Sequence, residues 1–399
     1  MQLVEKIIKN ELCTGCGICA SISDQKIQMH LSDQGYLRPV IHRPLSTLQE
    51  SIIQDVCPGI ILKHESLDAT YHPIWGPLIQ VNTGYAVNPE VRFAGSSGGA
   101  LSALLIYLLE ARLVDYVLHI GVANDDPLRN EIKISRNHAE VVSNAGSRYA
   151  PSAPLVNIDE YLKREGKFAF VGKPCDVAAL RQYGRKNPEV SQKIPYMLAF
   201  MCAGVPSIEG TYAILNRFNT KKEDVRSFVY RGNGWPGMTR VEKHDGTSHE
   251  VDYGTSWGTI LNRYLQPRCK ICPDGIGEFA DVVCADAWYG KDGYPDFSEQ
   301  DGRSLIISRT KVGDVLVSSS VEASYLSVAS LPISDISQMQ PYQEMRKKMV
   351  ISRLLALKIF FRVTPKYINL GLYKAALMGG IIANVRNFVG MAKRLVCKK

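Results

Sequence analysis

Eight of the ten cysteines in this chain fall into two sets of four that could carry redox chemistry. The first set is a C-x2-C-x2-C run and a later cysteine that precedes a proline, namely Cys13, Cys16, Cys19 and Cys57. A cube of four irons and four sulfides takes one thiolate at each iron, so the run can bind three corners and the distant cysteine the fourth. Because no Cys-Pro pair follows Cys19 closely, the pattern predicts a module with one 4Fe–4S cluster.

Zinc and free thiols are the alternatives for this first set. Structural zinc usually takes its ligands from separate C-x2-4-C or H-x3-5-H pairs. Three cysteines at two-residue intervals fit the corners of a cube better than they fit a tetrahedron. We therefore predict iron–sulfur chemistry at these four positions, with zinc as the competing hypothesis.

The other four cysteines are dispersed along the chain: Cys175, Cys202, Cys269 and Cys272. Cys175 and Cys202 each follow an apolar run typical of a buried strand, and sites in open α/β sheets gather beyond the carboxyl ends of strands. Two cysteines placed in that way can converge with the C-x2-C pair on a second cluster. The spacing equally allows two small core residues and a spare thiol pair, so both interpretations stay open.

A turn rich in glycine and serine, which includes Ser97, Gly98 and Gly99, precedes the helical run from Ala100 to Ala111. Unpaired N–H groups at a helix start, together with the helix dipole, can bind an anion, and glycine lets a phosphate approach the backbone. The same composition is common in a simple helix cap. The turn is therefore a candidate phosphate-binding site, and the alternative is a turn that only caps the helix.

Several polar residues are further candidates for chemistry. Arg148, Tyr149 and Lys173 could contact a phosphate or a flavin, although solvated surface charge explains each of them alone. Asp281 and Asp286 could be general acids or structural caps. The chain has no H-E-x-x-H, G-x-S-x-G or phosphate-loop lysine motif, so those enzyme classes receive no support.

The elements that would position these residues alternate between strands and helices. Continuous apolar runs at residues 168–172 and 196–201 suit strands covered on both faces, and residues 114–122 are also β-like. Such alternation indicates an α/β core, and a β-rich stretch follows at residues 228–252. We predict a mixed fold (α+β and α/β) in four parts. Residues 1–70 form a ferredoxin-like 4Fe–4S module, and residues 341–399 form a basic helical tail. Between them, residues 71–155 form a domain with the glycine- and serine-rich helix start, and residues 156–340 form a domain with the second cluster; these two domains make up the flavin and iron–sulfur core.

The net charge of +8 is concentrated in that tail. Thirteen of the 47 Lys and Arg residues lie between Arg346 and Lys399, where there is no Asp or Glu, which leaves 34 basic against 39 acidic residues elsewhere. The body of the protein therefore gives no reason to expect nucleic acid as a partner. The first residues lack an apolar signal core, so we expect a cytoplasmic protein whose thiols stay reduced.

The tail pattern predicts two helices, at residues 345–362 and 366–396, with the core ending near residue 340. The apolar run at 375–383 is shorter than the ~20 residues that cross a bilayer. A basic amphipathic helix can lie in the interface of an anionic membrane, which predicts peripheral contact with the inner face of the membrane. The alternative is a helix that docks on the acidic body of the protein.

Short motifs along residues 10–335 together resemble the beta-subunit family of coenzyme F420 hydrogenases and dehydrogenases. Each motif is short, but their number and order make the resemblance specific. It does not extend to the tail. The motifs are Ser97-Gly98-Gly99, Gly146-Ser-Arg-Tyr149, Gly172-Lys-Pro-Cys175, Phe200-Met-Cys202, Gly234-Trp-Pro-Gly237, Arg268-Cys269-Lys-Ile-Cys272, Glu278-Phe-Ala-Asp281 and Asp286-Ala-Trp288.

This resemblance implies FAD beside a second 4Fe–4S cluster in the α/β core. Bacterial members of the family are found with exopolysaccharide genes. Here Cys284-Ala285 replaces what looks like a Val-Gly pair in the family pattern, which offers the second cluster an alternative ligand. The implied ligands of that cluster are Cys175, Cys202, Cys269 and Cys272, and the implied flavin contacts are Ser97, Gly98, Gly99, Arg148, Tyr149 and Lys173.

These inferences predict an iron–sulfur flavoprotein oxidoreductase. A ferredoxin or a deazaflavin-type carrier would load the two clusters, and the flavin would deliver a hydride to a small molecule or to a lipid- or sugar-linked substrate. Tyr253, Asp281 and Asp286 are the candidate proton donors. Two alternatives remain: an electron-transfer subunit of a larger redox complex without its own substrate, and a zinc-binding interaction protein.

Overall fold

An eight-stranded mixed sheet organises the computed structural model, which describes residues 3–67, 70–291 and 294–397. Its four inner strands, Tyr116–Val122, Phe168–Gly172, Tyr196–Phe200 and Val282–Asp286, run parallel to one another. The antiparallel strand Asn130–Ser135 flanks them on one edge. On the other side the antiparallel order continues through Ser304–Ser308, Gln80–Ala86 and Leu326–Ser330.

Helices cover both faces of this sheet, so the four parallel strands are mostly apolar, with His119 and Asp286 as exceptions. The strand Phe168–Gly172 is buried at every position, as expected for a strand covered on both sides. The helices Ala100–Glu110 and Lys311–Glu322 pack in the core on one face, and Pro174–Gly184 packs in the core on the other. The predicted mixed α/β fold is confirmed.

The N-terminal part packs against the helix Pro174–Gly184. Ser46 caps the helix Thr47–Val56 in a reciprocal capping box with Gln49, which sets where that helix begins. Gln182 Nε2 donates to the carbonyl oxygen of Val56 at 3.0 Å, close to where the helix ends at Cys57. The elements of this part are Leu3–Lys9, Ile18–Ile22, the hairpin of Ile27–Leu31 with Leu37–Ile41, Thr47–Val56 and Ile61–Lys63.

A separate three-stranded sheet accounts for the predicted β-rich stretch. Its strands Val225–Val229, Thr239–Lys243 and Ser248–Val251 form an antiparallel meander with its own core, to which the helix Ile208–Arg217 contributes. The remaining short elements are Tyr71–His72, Gly76–Pro77, Pro89–Ala94, His138–Ser143, Ile158–Leu162, Glu189–Lys193, Lys222–Asp224, Gly254–Ile260, Leu261–Tyr264, Pro267–Ile271, Gly290–Lys291, Tyr294–Pro295, Ile333–Asp335 and Ile336–Met339.

The tail is not the two long helices that its pattern predicts. It folds as Pro341–Lys348, Val350–Ile359, the strand Lys366–Ile368, Leu372–Met378 and Ile381–Cys397, while Lys398 and Lys399 lie outside the described residues. The strand pairs in parallel with Ile61–Lys63, and Gly371 and Gly380 adopt positive φ angles at the later breaks.

The hydrophobic core continues past residue 340, where the sequence pattern places its end. Val350 and Ala375 are fully buried and belong to the main core cluster. In the described part of the chain no single helix is long and apolar enough to cross a membrane. The bent pair Leu372–Met378 and Ile381–Cys397 passes that test when taken together.

Candidate functional site

The four cysteines of the first set share one buried region. Cys19 lies in the first turn of the helix Ile18–Ile22, and Cys57 lies at the end of Thr47–Val56. Burial raises the pKa of Cys19 well above its ordinary value, and the charges of Cys13, Cys16 and Cys57 raise it further. The backbone N–H of Gly15 donates to Cys13 Sγ at 3.4 Å. Thiolates grouped in this way repel one another unless a cation or a cluster lies between them.

The second set also converges, which its spacing alone left open. Burial is the main cause that raises the pKa of Cys175, and Cys202 and Cys272 act in the same direction. Burial, followed by Cys269 and then Cys272, raises the pKa of Cys202 to about 12. The N–H of Val205 donates to Cys269 Sγ at 3.4 Å. The fold therefore gathers these cysteines beyond the carboxyl ends of neighbouring parallel strands.

Cys284 lies apart from the second set. It is buried within the strand Val282–Asp286, and burial alone raises the pKa of its thiol to about 12, without a contribution from another cysteine. The expectation that Cys284 offers an alternative ligand is therefore not supported, because its position in the strand keeps its side chain in the sheet core. Cys397 is exposed at the end of the last helix.

A single metal ion and a four-iron cluster require different separations between the sulfurs of a set. In the residues that the structure describes, no three His, Cys, Asp or Glu side chains approach closely enough to hold one metal ion. Tetrahedral zinc at ~2.3 Å from each sulfur would require the sulfurs to lie roughly 3.8 Å from one another. A four-iron cube separates its thiolates more widely, because each binds a different corner.

Two buried arginines accompany the second set. Arg346 Nη1 donates to the carbonyl oxygen of Cys202 at 2.8 Å, and Arg268 Nη2 donates to the carbonyl oxygen of Pro58 at 2.9 Å. Both side chains are almost fully buried, and Cys272 is among the groups that stabilise the charge of each. They offset the negative charge that four thiolates would concentrate in the protein interior.

The two cysteine sets are joined by hydrogen bonds. Gln266, three residues before Cys269, donates through Nε2 to the carbonyl oxygen of Thr14 at 3.2 Å. Arg268 reaches Pro58, which follows Cys57. One ligand loop of the second set is therefore bonded to both ligand segments of the first, so the two sets are direct neighbours.

A cavity of about 280 Å³ lies at the carboxyl ends of the parallel strands, and the Cys202 loop forms part of its wall. Sites in open α/β sheets are expected at this edge. The cavity has polar and aromatic walls suited to a planar ring with a polar tail. The predicted residues that line it are Ser97, Gly99, Arg148, Tyr149, Lys173, Tyr253 and Asp286.

The glycine- and serine-rich turn contributes to the cavity through its backbone. Gly99 has φ 70° and is the N-cap of the helix Ala100–Glu110, where no side chain bonds to the first N–H groups. Because the start of this helix lines the cavity, these N–H groups face the cavity region. Gly98 is a packing residue, because a Cβ there would lie 2.8 Å from the carbonyl oxygen of Gly84. Ser97 Oγ bonds to the carbonyl oxygen of Ala285 at 3.1 Å, whereas Ser96 and Ser147 on the cavity wall bond to each other.

Arg148 is a structural brace. Its guanidinium donates to Asn130 Oδ1 at 2.8 Å and to the carbonyl oxygens of Phe228, Pro127 and Arg129, each at 3.0 Å. Most of its donors are therefore already used by the protein. The expectation that Arg148 pairs with a phosphate is weakened, because the side chain ties its own loop to residues 127–130 and to Phe228.

Lys173 is paired as well, and its partner Asp176, one of the residues that line the cavity, has one oxygen without a donor. Its ammonium donates to Asp176 Oδ2 at 2.7 Å and to Ser152 Oγ at 3.0 Å. Asp176 is 1% exposed, and its Oδ1 atom has no hydrogen-bond partner. A buried acceptor without a donor is costly, so this atom fits a bound group that brings an N–H or O–H. The helix start could bind an anion, and this acceptor could bind a donor group of the same ligand.

Arg231 and Asp286 form an ion pair that sequence reasoning did not identify. Arg231 Nη2 lies 2.6 Å from Asp286 Oδ1 and Nη1 lies 2.9 Å from Oδ2, and Trp235 Nε1 donates to the same carboxylate at 2.7 Å. The guanidinium carbon lies 4.7 Å from the ring centre of Tyr253. Asp286 is therefore fixed by a bidentate ion pair, and burial raises the pKa of Tyr253 well above its ordinary value.

Asp281 lies at the other end of the same strand, away from the cavity. It accepts hydrogen bonds from the N–H of Met197 at 2.8 Å, from Arg181 Nη2 at 3.0 Å and from Thr310 Oγ1 at 2.8 Å. These bonds tie neighbouring elements together at the amino end of Val282–Asp286. The predicted role of Asp281 as a proton donor is not supported by this position away from the cavity.

Two family models match adjacent parts of the chain. The N-terminal model of coenzyme F420 hydrogenase/dehydrogenase, beta subunit, matches residues 81–158, and the C-terminal model matches residues 165–333. The chain belongs to this beta-subunit family. Its second cysteine set and most of its cavity wall lie within the matched residues, whereas the first cysteine set and Arg346 lie outside them.

Individual relatives agree with this assignment. The chain is 28% identical over 289 residues to the beta subunit of coenzyme F420 hydrogenase from Methanococcus voltae, which covers 69% of this chain and 95% of that protein. It is 28% identical to the beta subunit of an F420-dependent formate dehydrogenase from Methanocaldococcus jannaschii, over 55% of this chain and 56% of the relative. A chain of the F420-reducing NiFe hydrogenase complex from Methanosarcina barkeri has the same fold, with a TM-score of 0.54, 20% identity, and coverage of 71% of this chain and 94% of that one.

Proposed function

We propose that this protein is an iron–sulfur flavoprotein subunit that transfers electrons between a redox carrier and a two-electron reaction in the cavity. One observation carries the proposal: the segments that hold the two sets of four cysteines are joined by hydrogen bonds, and a loop of the second set forms part of the cavity wall. Electron transfer needs its centres to be close, and this arrangement supports such closeness. The family and its oxidoreductase relatives support a redox role.

The residues divide into holders of clusters and holders of a flavin. When bound, iron–sulfur clusters supply one-electron chemistry and a flavin supplies hydride chemistry. The flavin-binding groups we propose are the helix start at Gly99, the free oxygen of Asp176 and the aromatic side chains of Tyr149 and Tyr253. The cluster ligands we propose are Cys13, Cys16, Cys19 and Cys57 for the first cluster and Cys175, Cys202, Cys269 and Cys272 for the second.

The proposed carrier is a deazaflavin coenzyme or a ferredoxin. The names of the relatives, which include an F420-dependent sulfite reductase from Methanocaldococcus jannaschii, favour the deazaflavin. A small molecule or a lipid- or sugar-linked compound would then be the substrate of the two-electron reaction. FAD is the flavin that we propose on the family resemblance, since the ring and phosphate that the cavity and the helix start suit are common to FAD and FMN.

A second candidate function is electron transfer to a partner enzyme, without a substrate of its own. The relatives with the names above are subunits, and the chain of similar fold comes from a hydrogenase complex. Stable co-purification of another subunit, with no reduction of small molecules by the isolated chain, would favour this candidate. Turnover by the isolated chain would favour the first.

The test is an anaerobic purification followed by assays of iron, sulfide, zinc and extracted flavin. We expect about eight irons and one flavin per chain, from two four-iron cubes. A Cys175→Ser variant should lose about half of the iron, whereas the control Cys397→Ser, at an exposed position, should keep all of it. Zinc without flavin in the purified protein would overturn the proposal and support the interaction protein.

A further inference from the structure

The last helix, Ile381–Cys397, has no fully buried side chain, although many of its residues are large and apolar. Ile381 is 83% exposed and Ile382 is 80% exposed. The exposed apolar residues recur at intervals of three, four and seven, which places them on one face of a helix. They are Ile381, Ile382, Val385, Val389 and Val396.

The opposite side of this helix is docked on the protein. Met391 and Leu395 pack against the small cluster that contains Leu357, and Asn387 Oδ1 accepts from Arg353 Nη2 at 2.9 Å. These contacts fix the rotation of the helix about its axis. The apolar face that points outward is therefore held in place, which a loosely attached tail would not achieve.

The preceding helix, Leu372–Met378, extends the same surface. It buries Leu372 and Ala375 but leaves Tyr373 and Leu377 each 82% exposed, one helical turn apart. The two helices meet at Gly379 and Gly380 with a bend of 110°. We define the terminal apolar surface as the exposed residues of these two helices, namely Tyr373, Leu377, Met378, Ile381, Ile382, Val385, Val389 and Val396.

The charges beside the terminal apolar surface all have one sign. Lys374 and Arg386 lie on the two helices next to the exposed apolar residues, and Lys393 and Arg394 follow one to two turns later. No Asp or Glu occurs in the chain after Glu344. Apolar side chains on one face and only basic residues beside them match a lipid surface that is apolar below and anionic at its headgroups.

We propose that the terminal apolar surface binds an anionic lipid bilayer, with both helices lying in the headgroup region and their exposed apolar residues inserted below it. A protein partner would be expected to meet a patch with mixed or opposite charges and fewer lysines. Neither helix is long enough to span the bilayer alone, and the bend lets both lie along its surface. The proposal does not depend on the redox function.

The test uses full-length protein, because truncation near residue 340 would also remove the buried Val350. Binding is measured by flotation with vesicles of phosphatidylcholine alone and with vesicles that also contain phosphatidylglycerol. We expect binding to the anionic vesicles that falls with salt. Equal binding to both kinds of vesicle, or binding to neither, would overturn the proposal.

Two sets of variants identify the surface. Leu377→Asp with Ile381→Asp should abolish flotation, whereas Leu48→Asp with Val315→Asp, at positions that are 69% and 63% exposed on the body, should leave it unchanged. Replacing Lys393 and Arg394 by Gln should weaken binding to anionic vesicles about 25-fold, or about fivefold for each charge. Iron and flavin contents equal to those of the parent protein verify the fold of each variant.

Two outcomes would assign the surface to something else. A dimer in light scattering that the Leu377→Asp, Ile381→Asp variant loses, without vesicle binding by the parent, would identify a second copy of the chain as the occupant. If the last two helices resist protease that is added outside sealed vesicles and also protease enclosed within them, the two helices form a broken membrane span. Either result would contradict binding in the interface.

Discussion

Lys173 and Asp176, three residues apart, show how two residues of one segment divide between structure and binding. The ammonium of Lys173 is satisfied by Asp176 Oδ2 and Ser152. Asp176 Oδ1 remains without a donor in the wall of the cavity. Lys173, which the sequence favours as a flavin contact, is thus the positioning residue. Its partner Asp176 is the candidate flavin contact.

Asp176→Asn tests this assignment. The asparagine keeps one oxygen for Lys173, so its NH2 group must replace the free acceptor in the cavity wall. We expect flavin affinity to fall by tenfold or more, because mismatching a buried polar group costs about 1–3 kcal/mol. The measurement is flavin retained after gel filtration and its dissociation constant, with iron content as a check on the adjacent Cys175.

Asp314→Asn is the matched control for that variant. Asp314 also has a carboxylate oxygen without a partner, but it lies in the helix Lys311–Glu322 and not in the cavity. Its flavin content should equal that of the parent protein. Equal flavin affinity in the Asp176→Asn variant and the parent would remove Asp176 from the proposed binding group.

The helix Pro341–Lys348 is an element whose importance lies in two neighbouring cations. Lys347 is 2% exposed and pairs with the fully buried carboxylate of Glu278, to which Tyr71 also donates at 2.8 Å. Arg346 bonds to Cys202. One turn of a helix outside both family models therefore contacts the Cys202 backbone through Arg346 and the buried Glu278 through Lys347.

Lys347→Met should destabilise the protein strongly. Removal of the cation leaves the buried charge of Glu278 without its main partner, at a cost of about 3–5 kcal/mol in the free energy of unfolding. Lys348→Met is the control, because Lys348 makes a helix-surface pair with Glu344 and should change that free energy by about 0.5 kcal/mol or less. Urea unfolding compares them, and equal midpoints would show that the buried pair contributes little.

Arg346→Gln should lower the reduction potential of one cluster. A nearby buried cation favours the more negative, reduced form, so its loss should shift the potential downwards by on the order of 50 mV for one charge acting across a protein interior. Redox titration followed by electron paramagnetic resonance measures this shift. Arg240→Gln provides the control, since Arg240 makes an exposed ion pair with Glu250 in the three-stranded sheet. Potentials unchanged in both variants would place Arg346 too far from the cluster to act on it.

At the scale of the whole molecule, the two cysteine sets and the cavity form one connected arrangement. The first set belongs to the N-terminal part, and the cavity lies at the carboxyl edge of the sheet. In the second set, Cys175 and Cys202 follow parallel strands, whereas Cys269 and Cys272 lie at the short helix Pro267–Ile271. Gln266 and Arg268 connect the two cysteine sets, and the Cys202 loop connects the second set to the cavity. Such continuity is what a path for electrons requires.

Cys16→Ser tests whether the first set takes part in that path. We expect iron to fall from about eight to about four atoms per chain while the flavin is retained, because the second set keeps its ligands. Turnover with the carrier should then fall sharply, whereas Cys397→Ser should behave as the parent protein. Full carrier-linked turnover in the Cys16→Ser protein would show that electrons do not need the first set.

The sequence by itself determined the features that depend on neighbours along the chain. The C-x2-C-x2-C run, the buried strand at residues 168–172 and the helix that starts after Gly99 were all predictable, because ligand spacing and apolar patterns act over a few residues. The pattern of the tail correctly indicated helices, but it did not indicate the strand at 366–368, whose partner lies 300 residues earlier.

Only the tertiary structure decided which distant residues meet. Cys175 and Cys202 lie close together because two parallel strands end at one edge of the sheet, and the segment with the pair at 269 and 272 packs against them from a distant part of the chain, which spacing cannot express. The same packing turned Gly98 and Arg148 into structural residues, moved Asp281 away from the cavity and brought Arg346 to the second set. The outward face of the last helix likewise follows from how its other side docks. Contacts between residues far apart in sequence depend on how whole elements pack, and local chemistry does not contain that information.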